Sequence, residues 1–127
     1  MSTRAIEAEM LERARRMVLG TGAYVPITAV PGAVDAVRDG RLFSIHADSV
    51  ELIPRWAIKD DGEPVAGLAP VLKVLRPHRD DWGVAYWFDS CLASLGNTAP
   101  KTVLAKRPED VLRAAQREIA EQLYPHG

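Results

Sequence analysis

The sequence predicts a mainly α fold, a compact helical domain carrying one small β-hairpin near its middle. Three observations predict it. Apolar residues recur at helical spacing at both ends: Ile6, Met10, Ala14, Met17 and Val18 near the start, Val111, Leu112, Ala115, Ile119 and Leu123 near the finish. Strand-like alternation of apolar and polar residues falls within 41–54, and prolines and glycines keep the elements around it short. The composition, 127 residues with 47% hydrophobic and 26% charged, suits one globular domain with a core of its own.

The first helix is expected over roughly residues 3–19, with Glu7, Glu9, Glu12, Arg13, Arg15 and Arg16 forming a solvated face between the apolar positions. Gly20 and Gly22 stop it, because glycine takes the left-handed backbone that ends helices. Pro26, Pro31 and Gly32 leave room only for short pieces before residue 45. Pro31 suits the start of a short helix, Ala33–Arg38 supplies its turns, and Asp39-Gly40 closes it. Arg41–His46 and Ser49–Pro54 then alternate as strands, with Ala47-Asp48 as the tight turn between them. Helix, glycine and hairpin in that order give the layout of a winged helix-turn-helix in degenerate form.

Asp60-Asp61-Gly62-Glu63-Pro64 marks a loop. Leu68, Val71, Leu72 and Leu75 form a stripe on the next short helix, which tolerates Pro70 only within its first turn. Arg76-Pro77-His78-Arg79 breaks it. Asp80 or Asp81 caps a helix bearing Trp82, Ala85, Tyr86 and Phe88, and these aromatics with Trp87 are expected at the heart of the second half. Residues 94–100 form a turn, Pro100 opens a short helix with Val103 and Leu104, and Pro108, Glu109 and Asp110 start the final one. The chain divides into residues 1–58, a helix plus the degenerate winged unit, and residues 59–127, a helical half. No linker is long enough to separate them, so they are expected to pack as one unit.

Several function classes find no support. Sixteen basic and seventeen acidic side chains give a net charge of −1, without the basic excess that non-specific phosphate attraction needs. Cys91 is the one cysteine, which precludes an intramolecular disulfide and reads as a buried structural residue in a reducing compartment. The first residues lack a signal-peptide apolar core, and no apolar run approaches the roughly 18 residues that span a bilayer. A cytoplasmic protein without a membrane contact is the expectation. His46, His78 and His126 are too scattered for a metal, and no cofactor is expected. The serines lack a glycine-flanked sharp turn, and Gly20-Thr21-Gly22 lacks the lysine and the preceding strand of a phosphate loop. Asp60-Asp61 and Asp80-Asp81 read as loop and cap. The protein is expected to be a binding protein, not an enzyme. As a DNA reader, its second helix would offer Ala33, Val34, Asp35, Ala36 and Val37, with Arg38 and Arg41 on phosphates and Arg55 on the wing.

Ile53-Pro54-Arg55-Trp56-Ala57-Ile58, Asp61-Gly62, Gly67-Leu68 and Val71-Leu72 are followed by Trp82 through Phe88, with Trp82 and Trp87 at the ends of one face. Leu95-Gly96-Asn97-Thr98-Ala99-Pro100, Val103-Leu104 and Glu109–Ala115 complete an uninterrupted order over about residues 50–118. In that order they resemble the toxin-binding domain of Xre/MbcA/ParS-like antitoxins. Asn97 stands where that family usually has a second glycine, and Ala57-Ile58 replaces its glutamine-phenylalanine. The resemblance implies a RES-type, NAD-consuming toxin as partner, blocked at its active-site entrance by the C-terminal region. It also implies a homodimer, and repression of the operon by the N-terminal part. On this reading Asn97, Lys101, Lys106, Arg107, Arg113 and Arg117 are the partner-binding candidates. The expected function is an antitoxin-like protein that binds and inhibits a toxin; the alternative is a small winged-helix transcription regulator that binds DNA through Arg38, Arg41 and Arg55.

Overall fold

The computed structural model describes residues 3–124, so His126 lies outside the described residues. Helix α1 spans Thr3–Gly20 and ends where Gly22 adopts φ 69°. The Thr21 hydroxyl donates to the Val18 carbonyl at 2.8 Å and covers one of the carbonyls left open at the helix end. Strand β1 (Tyr24–Pro26) and a 3₁₀ turn (Ile27–Ala29) precede helix α2 (Ala33–Arg38). Strands β2 (Ile45–Ala47) and β3 (Val50–Pro54) follow, then a second 3₁₀ turn (Arg55–Ala57).

The sheet is antiparallel, in the order β1-β3-β2. Tyr24 lies opposite Pro54 and Pro26 opposite Leu52, while Ile45 lies opposite Leu52 on the other side. β1 corrects the expectation of two strands. As an edge strand it accommodates Pro26, whose missing N–H a central strand could not spare. The hairpin is also displaced from its expected position. Its turn is Asp48-Ser49, at φ 50° and 66°, because a two-residue hairpin needs both residues left-handed to match the twist of its strands. Arg41–Ser44 is not strand. Leu42 and Phe43 are neighbours and both fully buried, so the chain here turns two successive side chains inward instead of alternating.

The loop at 59–64 is closed by a bridge between Ile58 and Pro64. Within it the Glu63 N–H donates to the Asp61 carboxylate at 2.9 Å, which holds Asp61 below the usual aspartate value. Helices α3 (Leu68–Leu75), α4 (Asp81–Asp89), α5 (Pro100–Val103) and α6 (Pro108–Leu123) form the rest, with a 3₁₀ turn at Ala93–Leu95. Asp80 is the cap of α4, its carboxylate accepting the Gly83 N–H at 2.7 Å. α3 buries Leu68, Val71, Leu72 and Leu75 against α6, which buries Val111, Ala114, Ala115 and Ile119. Leu123, expected on that stripe, is 54% exposed, because the helix has outrun the core by its last turn.

One core runs from Val18 to Ile119 through both segments of the chain. Its centre is aromatic. Phe43 stacks on Phe88 of α4 with centroids 5.9 Å apart, and Trp56 reaches Phe88 at 4.9 Å. Tyr24 meets Phe43 edge-on at 6.4 Å, and Trp87 meets Phe88 edge-on at 5.1 Å. Burial pushes the Tyr24 phenol well above its ordinary pKa, and the Asp89 carboxylate adds to that effect. The other two aromatics of α4 depart from the expected core position. Tyr86 is exposed, and Trp82 is half-buried beneath the Arg15 guanidinium of α1, 5.2 Å from its ring. Cys91 is exposed rather than buried, because α4 has ended and the chain is already leaving the core.

Candidate functional site

α6 carries the strongest concentration of candidate residues. Pro108 opens it and Glu109 and Asp110 sit in its first turn, where both suit the positive end of the helix. Once Val111, Ala115 and Ile119 are seated in the core, Arg113 and Arg117 are left on the opposite, exposed face. Arg113 and Arg107 both lean on Asp110, at 3.8 and 3.3 Å. Arg117 and Lys106 are exposed and form no ion pair among the described residues.

The Ala93–Leu95 turn lies alongside α6. Gly96 and Asn97 follow it at φ 70° and 59°, a left-handed pair that asparagine tolerates better than most side chains. The Asn97 N–H donates to the Leu92 carbonyl at 2.9 Å, leaving the Asn97 side chain exposed. Ser94, Asp110, Arg113, Ala114 and Arg117 line a cleft of about 120 Å³ between turn and helix. A wider hollow of about 300 Å³ adjoins it, lined by Trp87, Leu92, Glu118 and Glu121 together with Ser94 and Arg117.

Among the six partner-binding candidates, Arg113 and Arg117 share one ridge, and Arg107 joins it from the helix N-cap through Asp110. Lys106 lies at the start of that ridge, and Asn97 just beyond the facing turn. Lys101 does not join them: its ammonium pairs with Asp89, whose side chain is only 3% exposed. Ser94 and Glu118 belong to this face and escaped the sequence reading. Glu118 holds Arg79 at 3.1 Å and ties the α3–α4 connection to α6. No local pattern signals either residue, since each joins the face only through contacts between distant elements.

The N-terminal candidates are arranged differently. Arg38 pairs with Asp35 at 3.5 Å, and Arg41 pairs with Asp39 at 3.5 Å and Glu63 at 3.3 Å. Arg55 forms no ion pair among the described residues and lines a separate cleft with Val25, Val30 and Lys59. The exposed side of α2 presents Val34 and Asp35 beside Arg38, and the hairpin 45–54 contains no lysine or arginine. Among the described residues, no cluster of His, Cys, Asp and Glu could hold a metal ion, and no helix is long and apolar enough to cross a membrane.

Fold and face together define the class: a mainly helical module with a small three-stranded sheet and an arginine ridge on its last helix. Among solved structures the chain is similar to the NMR structure of Rv2175c, with a TM-score of 0.59 and 23% sequence identity over 85% of this chain and 77% of that one. That likeness shows the fold. No protein-family model matches the chain, and no curated protein matches it.

Proposed function

We propose that this protein is a non-enzymatic, antitoxin-like module that binds and blocks a protein partner through the α6 ridge. The observation that carries the proposal is the exposed pair Arg113 and Arg117 on a helix whose other face is fixed in the core, with exposed Arg107 at its N-cap. Guanidinium groups on a rigid element are suited to paired hydrogen bonds with carboxylates, so the partner surface is acidic. The residue order over 50–118 that resembles the Xre/MbcA/ParS-like domain supports an NAD-consuming toxin as the partner class.

A second reading, a winged-helix regulator, is favoured by α2 leading into the β2–β3 hairpin. Its weakness is electrostatic: Asp35 stands on the face that would meet phosphate, and the hairpin that would form the wing carries no lysine or arginine.

A tagged pull-down from the native cell, repeated after nuclease treatment, tests both. The expected result is one nuclease-resistant, NAD-consuming protein in comparable amount, bound at least about tenfold more weakly by Arg113→Glu/Arg117→Glu. Unchanged affinity in that variant would remove the ridge from the interface. Recovery of DNA alone would replace this reading with the regulator.

A further inference from the structure

We infer that α1 is the seam of an antiparallel dimer between two copies of this chain, independently of the α6 reading. α1 is an 18-residue helix, yet Val18 is its one buried residue and Ala14 is half-buried. It touches α4 through Leu11, Ala14 and Arg15 beside Trp82 and Tyr86, and residues 3–13 are exposed throughout. A helix with so little cover is marginal in water, because helix stability in proteins comes chiefly from an apolar face packed on something.

The missing cover has a defined place. Ile6, Met10 and Met17 are 45, 64 and 45% exposed. At 3.6 residues per turn these three fall within roughly 40° of one another, about 100° around the helix from Val18. That is a second apolar stripe, as narrow as a coiled-coil seam, to one side of the α4 contact.

Charge identifies the occupant. Residues 4–12 of α1 carry Glu7, Glu9 and Glu12 with Arg4, and residues 13–20 carry Arg13, Arg15 and Arg16 with no acid. Parallel pairing would set like charge on like. Antiparallel pairing of two identical helices sets each acidic stretch towards a basic one. With Ile6 of one copy against Met17 of the other, Glu9 falls beside the seam between Arg13 and Arg16 of the second copy. Within one copy Glu9 and Arg13 already meet at 3.4 Å, and both are solvent-exposed and able to re-pair across the seam. Arg15 lies over Trp82 and stays on the α4 side. A lipid surface would favour a uniformly basic flank, which this helix lacks.

Analytical ultracentrifugation of the full chain over a concentration series tests the seam. The wild type should show a monomer–dimer equilibrium, and Met10→Lys should weaken it at least about tenfold. Glu9→Arg alone and Arg13→Glu/Arg16→Glu alone should each be monomeric where the wild type is dimeric, and an equimolar mixture of the two should form a one-to-one dimer. Recovery in the mixture also demonstrates that both variants are folded. A wild type that stays monomeric up to its solubility limit would overturn the inference. So would a dimer that ignores all three variants, or a monomer whose α1 stripe instead binds a different protein or neutral vesicles.

Discussion

Lys101, in the short helix α5, and Lys106, in the loop before α6, carry no local signal that separates a buried partner from a free surface charge. In the fold Lys106 is an exposed residue with no ion pair among the described residues, whereas Lys101 answers the Asp89 carboxylate, which has no other polar partner among them. The energetic weights differ accordingly. The exposed Arg13–Glu9 and Arg38–Asp35 pairs are each worth at most about 1 kcal/mol. Removing one member of a buried pair leaves a charge in low dielectric and costs about 3–5 kcal/mol; Lys101 retains partial exposure, which puts it at or below the lower end. Lys101→Met is therefore expected to lower unfolding stability by about 2–3 kcal/mol in urea titration. Adding Asp89→Asn should recover part of that loss. A Lys101→Met variant as stable as wild type would mean the carboxylate finds water.

Elements were legible where their signals are local. Helical spacing located α1, α3 and α6, Asp80 announced the start of α4, and Pro100 and Pro108 opened α5 and α6. β1 was not legible, since three residues ending in proline become a strand only when β3 lies beside them. The hairpin turn fell one residue from its expected place. Asp48-Ser49 lacks the asparagine-glycine signature of left-handed turns, and strand pairing decides where such a turn sits. The contact between α3 and α6 rests on Gly67, whose packing role no turn or helix signal announces. A Cβ on Gly67 would lie 2.5 Å from Cβ of Pro108, although the Gly67 backbone, at φ −71°, would accept any residue. Gly67→Ala should push the two helix starts apart and cost about 1–3 kcal/mol, read as a lower melting temperature. Gly20→Ala, with open space around its position, is the matched control and should be neutral or slightly stabilising.

At the scale of the whole molecule, the sequence suggested two halves and the aromatic centre joins them. Phe43 and Trp56 come from the first half, and Phe88 and Trp87 from the second. A fragment of residues 59–127 would expose the faces that Phe43, Ile45 and Ile53 cover, all fully buried in the intact chain. That fragment is expected to lack a cooperative thermal transition by circular dichroism, where the full chain shows one. A sharp transition in the fragment would instead mean two independent units. The same scale explains why the candidate site was only half legible. Arg113 and Arg117, four residues apart, follow from helical spacing on α6 and Arg107 from its place just before it, but Ser94 and Glu118 join them only once the turn at 93–95 and the α3–α4 connection close on that helix. The three-stranded sheet has a further consequence for life at high concentration. Both of its edges are three residues long, and the β1 edge ends in Pro26. Neither edge offers enough backbone to recruit a strand from another chain, so the sheet resists growing into aggregates while the molecule folds.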